Sequence, residues 1–227
     1  MSPWTPVLLS LGVGLWSALL GLGPAVALGW VLARKRFPGK ALLSGLVLAP
    51  MVLPPVVTGL LLLAVFGRRT WLGGALAGLG LPLSFSFEAA VLAALVVGLP
   101  LYIWSARAAF EAVDPRYEEL SLTLGVPPTA TWRRVTLPLA LPGLLAGGVL
   151  AFARGLGEFG ATAVLAGNQE GETRTIALAV YSLLDQPHGE ARTWPLVAAS
   201  VGLCGVALLG YEALIRRQRR RLELDRG

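Results

Sequence analysis

The sequence predicts an all-α polytopic membrane protein with five transmembrane helices, in a single domain over residues 1–227. Apolar residues make up 55% of the chain and charged residues only 14%, whereas an average soluble domain is roughly 25% charged. The 28 glycines and 16 prolines suit membrane helices better than soluble ones. This composition excludes a soluble enzyme, a soluble nucleic-acid-binding domain and a disordered chain.

Five apolar runs are long enough to cross a hydrocarbon core that is about 30 Å thick. They predict spans at about residues 7–33, 41–66, 88–107, 139–166 and 195–215. Two shorter apolar stretches, 71–83 and 175–184, cannot cross and are expected to be interfacial or re-entrant.

The distribution of positive charge predicts the orientation. Fourteen of the nineteen Lys and Arg residues fall in three segments on one side of the five-span arrangement: 34–40, 107–134 and 216–226. The positive-inside rule makes that side cytoplasmic, so we expect the N-terminus outside and the C-terminus inside. Because the basic tail at 216–221 directly follows a span, it is expected to contact membrane lipid headgroups and no nucleic acid.

The longest cytoplasmic loop, at about residues 108–137, is predicted to contain a short helix. Asp114 is a suitable N-cap, and Pro115 fits the first helical turn. Gly125 stands where a left-handed glycine ends a helix, and Pro127-Pro128 is expected to prevent the helix from resuming.

One face of this helix is apolar. Tyr117, Leu120 and Leu124 form a stripe, and Glu118 and Glu119 flank it. Because so short a helix is marginal in water, we expect the stripe to dock on the membrane domain or on a cytoplasmic partner.

The same loop resembles the cytoplasmic motif of ABC importer permeases, which reads Glu-Ala-Ala, three residues, Gly, nine residues, Ile, one residue and Leu-Pro. The chain matches that spacing with Glu119-Leu120-Ser121, Gly125, Val135 and Leu137-Pro138, although Leu120-Ser121 replaces the Ala pair. In the family this segment is the coupling helix, which sits in a cleft of the ATP-hydrolysing subunit. The resemblance therefore implies an ATPase-coupling set, namely Tyr117, Glu118, Glu119, Leu120, Ser121, Leu124, Gly125, Leu137 and Pro138.

A wider resemblance, over roughly residues 34–185, is to the molybdate permeases of that superfamily. It is carried by the segments 36–41, 53–57, 136–143, 151–162 and 171–176. Sulfate and thiosulfate permeases share the segment Ala-Arg-x-x-Gly-Glu-Phe/Tyr-Gly, so sulfate or thiosulfate stays the alternative cargo. Tungstate is inseparable from molybdate.

This resemblance also implies the partners. We expect the ABC importer permease fold, a homodimer, a dimer of ABC ATPase subunits that bind ATP and Mg, and an extracytoplasmic oxyanion-binding protein. The assembled transporter would work by alternating access in the cytoplasmic (inner) membrane of a prokaryote. No cofactor is expected in this chain.

Two charges, Arg154 and Glu158, lie inside the fourth predicted span, where they can pair on one helix face. A charge at the bilayer centre costs about 2.5–3.5 kcal/mol, so such residues usually face a bundle interior or a wet cavity. They either line or gate the oxyanion path or only brace the helix or the dimer interface.

Pro54 and Pro55 must bend or split the second span, which makes it a candidate wall of the path.

The chain is predicted to be a translocation subunit and not an enzyme. It has no Gly-x-x-x-x-Gly-Lys-Ser/Thr phosphate-binding loop and no Ser-His-Asp cluster, and its single His188 and Cys204 give no metal site. A gradient-driven secondary carrier is the remaining alternative, but it should show internal repeats, and no convincing repeat is present.

Overall fold

A computed structural model describes residues 4–224, with side chains up to residue 217, and this part of the chain is all helical. Its α-helices are α1 (Thr5–Arg34), α2 (Lys40–Val52), α3 (Pro55–Phe66), α4 (Trp71–Gly78), α5 (Phe87–Glu111), α6 (Pro115–Thr123), α7 (Pro128–Thr131), α8 (Leu137–Leu156), α9 (Gly160–Leu165), α10 (Ile176–Leu184) and α11 (Glu190–Leu224). A π-helical turn, Trp132–Thr136, joins α7 to α8.

Four helical stretches in the described part are long and apolar enough to cross a membrane: Thr5–Arg34, Phe87–Glu111, Pro128–Leu156 and Glu190–Arg217. A fifth crossing requires α2 and α3 together, and these two helices are bent by 109° at their junction. Pro54 has no N–H to continue the backbone hydrogen bonds of α2, and Pro55 starts α3 at a position where its missing N–H costs nothing. The expected break in the second apolar run is therefore present.

The fourth apolar run, 139–166, is not one helix, which corrects the uninterrupted span expected from hydropathy. Helix α8 ends at Leu156, and α9 begins only at Gly160. At the other end the helical stretch begins at Pro128, so Pro127-Pro128 does not keep the chain from resuming a helix. Proline is tolerated at the first position of a new helix, and here Pro128 occupies that position in α7.

Helix α5 is the centre of the bundle, because α1, α2, α8 and α9 all pack on it. Small residues let its neighbours approach closely. A Cβ on Gly29 of α1 would lie 2.7 Å from the Cβ of Ala106, and one on Gly147 of α8 would lie 2.8 Å from that of Ser105. Such contacts are typical of helix packing in lipid, where close van der Waals approach contributes to association. Phe110 and Leu144 fill the core beside them.

The bundle has two distinct ends. At one end, Arg34 at the end of α1 donates from Nη2 to the carbonyl of Val113, which follows α5, at 2.7 Å. At the opposite end, the N–H of Ile176 donates to Ser10 Oγ of α1 at 2.8 Å. We call these the basic end and the distal end.

The two short apolar stretches are short helices, α4 with 8 residues and α10 with 9. At 1.5 Å per residue each is about 12–14 Å long, so neither crosses a membrane. In the basic tail, Arg226 and the side chains of residues 218–224 lie outside what the structure describes.

Candidate functional site

Helix α6 is capped at both ends by its own sequence. Asp114 Oδ1 accepts a hydrogen bond from the N–H of Arg116 at 3.0 Å. At the other end Gly125 has φ of +78°, and the N–H of Val126 donates to the carbonyl of Ser121 at 3.1 Å. This 6→1 bond around a left-handed glycine is a Schellman motif, which fixes where the helix stops. The helix predicted from these caps is confirmed.

The two leucines of the α6 stripe do not dock on this chain. Leu120 is 60% exposed and Leu124 is 75% exposed, while Tyr117 is half-buried. Of the two docking sites left open by the sequence, the membrane domain of the same subunit is therefore excluded for Leu120 and Leu124. Exposed leucines on an otherwise capped and anchored helix are a surface available to another protein.

The polar face of α6 points inward instead and holds the helix in place. Ser121 is buried, and its Oγ lies 2.9 Å from Thr131 Oγ1. Glu118 Oε1 accepts a hydrogen bond from Thr136 Oγ1 at 2.9 Å and forms an ion pair with Arg34 Nη2 at 3.2 Å. The helix is thus tied to α1, to α7 and to the π-helical turn by side-chain contacts.

The other residues of the predicted coupling set lie around this helix. Glu119, Gly125 and Pro138 are exposed, and Leu137 is half-buried at the start of α8. The structure therefore gathers the predicted set at the basic end, with Glu118 and Ser121 turned inward and Leu120 and Leu124 exposed.

The second cluster lies at the break between α8 and α9. Arg154 Nη1 and Glu158 Oε2 are 2.9 Å apart, and the Glu158 side chain is only 2% exposed. Its other oxygen, Oε1, accepts a hydrogen bond from the N–H of Ala161 at 2.9 Å. Glu158 lies beyond the end of α8, so the two charges do not share one helix face as their spacing suggested. The carboxylate joins the last turn of α8 to the first turn of α9.

The break between α2 and α3 lies against the same region. A Cβ on Gly160 would lie 3.0 Å from Pro55 Cβ, and one on Gly59 would lie 2.8 Å from the Cα and carbonyl oxygen of Ala161. The predicted break at Pro54-Pro55 and the unpredicted break between α8 and α9 are thus neighbours. Broken helices in a membrane bundle are tolerated where the freed backbone groups are buried in protein or line water.

A cavity of about 610 Å³ opens at the distal end, between the start of α1, α10 and the start of α11. Its lining includes two arginines, Arg174 and Arg192, beside Trp4. Arg174 forms an ion pair with Glu170 at 3.5 Å and donates from Nε to Asn168 Oδ1 at 2.9 Å.

Comparison with known families assigns this bundle. Residues 25–220 match the family described as the binding-protein-dependent transport system inner membrane component. The chain belongs to this family. As an inner membrane component it is a membrane-spanning subunit with a translocation role, in agreement with the four apolar helices and the bent pair found among residues 4–224.

Two relatives match this chain over nearly the whole length of both chains, and a third matches over part of its length. The chain is 45% identical over 219 residues to the molybdenum transport system permease protein ModB of Escherichia coli (strain K12), covering 96% of each chain. It is 44% identical to the ModB protein of Haemophilus influenzae, covering 94% of each. The sulfate transport system permease protein CysT of Salmonella typhimurium is 34% identical over 77% of this chain and 64% of its own length.

A solved structure supports the fold of this inner membrane component independently. The MetNI methionine ABC transporter, in an inward-facing conformation, matches with a TM-score of 0.68 over 95% of this chain and 94% of its own, at 19% identity. Because the identity is so low, this likeness shows the ABC importer permease fold alone.

Sequence reasoning missed the residues that anchor α6. The charge distribution predicts only that Arg34 is cytoplasmic, and no sequence pattern predicts a role for Thr131 or Thr136. Arg34 and Glu118 are too far apart in the chain for any periodicity to pair them. The sequence offers only a weak signal for these anchors, namely two hydroxyl residues on either side of Trp132 near the start of a span.

Proposed function

We propose that this chain is the permease subunit of an ATP-driven importer that carries molybdate, with tungstate on the same path. The observation that carries the proposal is the 45% identity to the E. coli molybdenum permease over 96% of both chains. The sulfate permease is less similar and is matched over a smaller share of its length, which disfavours the sulfate alternative.

The partners belong to the same proposal. Two copies of the chain would enclose one path, with an ABC ATPase dimer, holding ATP and Mg, at the basic end and an oxyanion-binding protein at the distal end. The exposed Leu120 and Leu124 support an ATPase contact at the basic end, because the anchored polar face of α6 links that contact to α1 and α8. The arginine-bearing cavity supports docking of an anion-delivering protein at the distal end.

The mechanism we propose is alternating access. ATP binding would close the ATPase dimer and move α6, and the Glu118 contacts to Arg34 and Thr136 would carry this motion into α1 and the stretch before α8. The two helix breaks, at Pro54-Pro55 and at residues 157–159, would form the gate, and Arg154 would offset the charge of the passing dianion.

Reconstitution tests this proposal. The chain is co-expressed with its candidate ATPase, purified by a tag on the chain, and placed in liposomes with the candidate binding protein and ATP. We expect the ATPase to co-purify and molybdate to accumulate, with tungstate competing and a large excess of sulfate having no effect. Uptake by the chain alone, driven by an ion gradient, would support a secondary carrier instead. Competition by sulfate would support the sulfate or thiosulfate alternative for the transported anion.

A further inference from the structure

A second cavity, of about 620 Å³, lies at the basic end between α1, the start of α2 and the anchored face of α6. Four cations line it: Arg34, Lys35, Arg36 and Lys40. Glu118 is the one carboxylate among its described lining residues, and it is already paired with Arg34. The cavity therefore has a large excess of positive charge.

Two donors in its walls have no acceptor in the described structure. The Nε–H of Arg34 and the Nε1–H of Trp132 are both buried and make no hydrogen bond. Buried donors of this kind are rare in native proteins, and an ordered water, an ion or a bound ligand accounts for them where they occur. Here both belong to residues that line the same cationic cavity.

Tryptophans fix the level of the cavity relative to the membrane. Trp30 and Trp132 meet edge to face with ring centroids 6.5 Å apart, and Lys35 Nζ lies 4.9 Å from the Trp30 centroid. Trp30 is in the last turns of the first long apolar helix, and Trp132 is near the start of another. Tryptophan at helix ends, beside basic residues, is typical of the headgroup region of a bilayer.

From this combination we propose that the cavity is a binding site for the phosphate headgroup of one anionic phospholipid, held between α1 and the α6 anchor. The exposed Arg36 and the amine of Lys40 supply charge to the phosphate, and Trp30 and Trp132 frame the glycerol level. The site lies on the opposite face of α6 from Leu120 and Leu124, so it does not compete with a protein docked on the stripe. A lipid bound here braces the Arg34–Glu118 contact.

Lipid binding to the purified full chain in detergent tests the site. Phosphatidylglycerol and phosphatidylcholine of identical acyl chains are titrated, and bound lipid is counted by native mass spectrometry. The double variant Arg36→Gln/Lys40→Gln is compared with Arg133→Gln/Arg134→Gln, which removes two exposed charges from the same end but outside the cavity. We expect one tightly held phosphatidylglycerol, with affinity about 30-fold lower in the first variant and unchanged in the second, since each basic residue near an anionic headgroup contributes roughly fivefold.

Three outcomes would overturn the proposal. Equal retention of phosphatidylcholine would show that the headgroup charge is not recognised. Equal weakening by both double variants would show diffuse surface attraction and no built site. Displacement of the lipid by millimolar inorganic phosphate would assign the cavity to a soluble anion. None of these results depends on the cargo or on the ATPase, so they leave the proposed transport function to its own test.

Discussion

At the scale of single residues, the burial of Glu158 determines how its partner Arg154 should be tested. The carboxylate is 2% exposed, and its partners are the Arg154 guanidinium and the Ala161 N–H. Removing one partner of a buried ion pair costs about 3–5 kcal/mol, because the other charge is left uncompensated. We therefore expect Arg154→Gln to lower the thermal unfolding temperature of the detergent-purified protein, whatever Arg154 does in transport.

The double variant Arg154→Gln/Glu158→Gln separates bracing from transport. A glutamine at 158 keeps an oxygen for the Ala161 N–H but carries no charge, so stability should return to near the wild-type value. If Arg154 serves the oxyanion, molybdate uptake by the stable double variant falls at least tenfold. Wild-type uptake in this variant would show that the pair only braces the break.

At the scale of helices, the contact between α3 and α9 depends on Gly59. A methyl group there would lie 2.8 Å from the Cα and carbonyl oxygen of Ala161, so the two helices would have to separate. We expect Gly59→Ala to destabilise the protein by about 1–3 kcal/mol, measured by thermal unfolding in detergent.

Gly45→Ala is the matched control, since it adds one methyl group to the other half of the same bent pair. Nothing lies within 4 Å of that position, and alanine favours a helix by up to about 1 kcal/mol over glycine. It should therefore be neutral or stabilising. Similar losses in both variants would mean that the close approach of α3 and α9 is not what limits stability.

The exposed leucines of α6 are expected to form its docking surface for the ATPase. Because Leu120 and Leu124 are exposed, Leu120→Ala/Leu124→Ala should leave expression and gel-filtration behaviour unchanged while co-purified ATPase falls at least tenfold. Leu79→Ala/Leu81→Ala shortens two exposed leucines outside this segment and should have no effect. Full ATPase retention by the α6 variant would refute a role for the stripe in docking.

These elements show where sequence reasoning succeeds. The caps of α6 were predictable because Asp114, Pro115 and Gly125 act within a few residues of the helix ends. The break at Pro54-Pro55 was predictable because two consecutive prolines remove two adjacent backbone donors, and the residue before a proline disfavours the helical conformation.

Other features depend on contacts that are distant in the chain. The break after Leu156 follows no proline, and α9 packs against the distant α3. The hydropathy pattern predicts one continuous span there, because hydropathy reflects composition and not tertiary contacts. The Arg34–Glu118 ion pair could not be predicted from the sequence for the same reason, since it joins residues that are distant in the chain.

At the scale of the whole molecule, the orientation and the number of crossings follow from where four exposed positions lie relative to the bilayer. Pro38, Arg69, Thr129 and Gln169 are all exposed and lie in or near the connections between the apolar helices. The charge distribution predicts Pro38 and Thr129 in the cytoplasm and Arg69 and Gln169 outside. If α2 and α3 did not cross together, Pro38 and Arg69 would share one side.

Cysteine labelling checks this arrangement directly. Cys204, the chain's single cysteine, is first replaced by serine, and one cysteine is then introduced at each position: Pro38→Cys, Arg69→Cys, Thr129→Cys or Gln169→Cys. A membrane-impermeant maleimide should label positions 69 and 169 in intact cells and positions 38 and 129 only after permeabilisation. Labelling of positions 38 and 69 on one side would make the bent pair re-entrant, and a complete reversal would place the basic end outside. This reversal would remove the basis for an ATPase at α6, since ATP is available only on the cytoplasmic side.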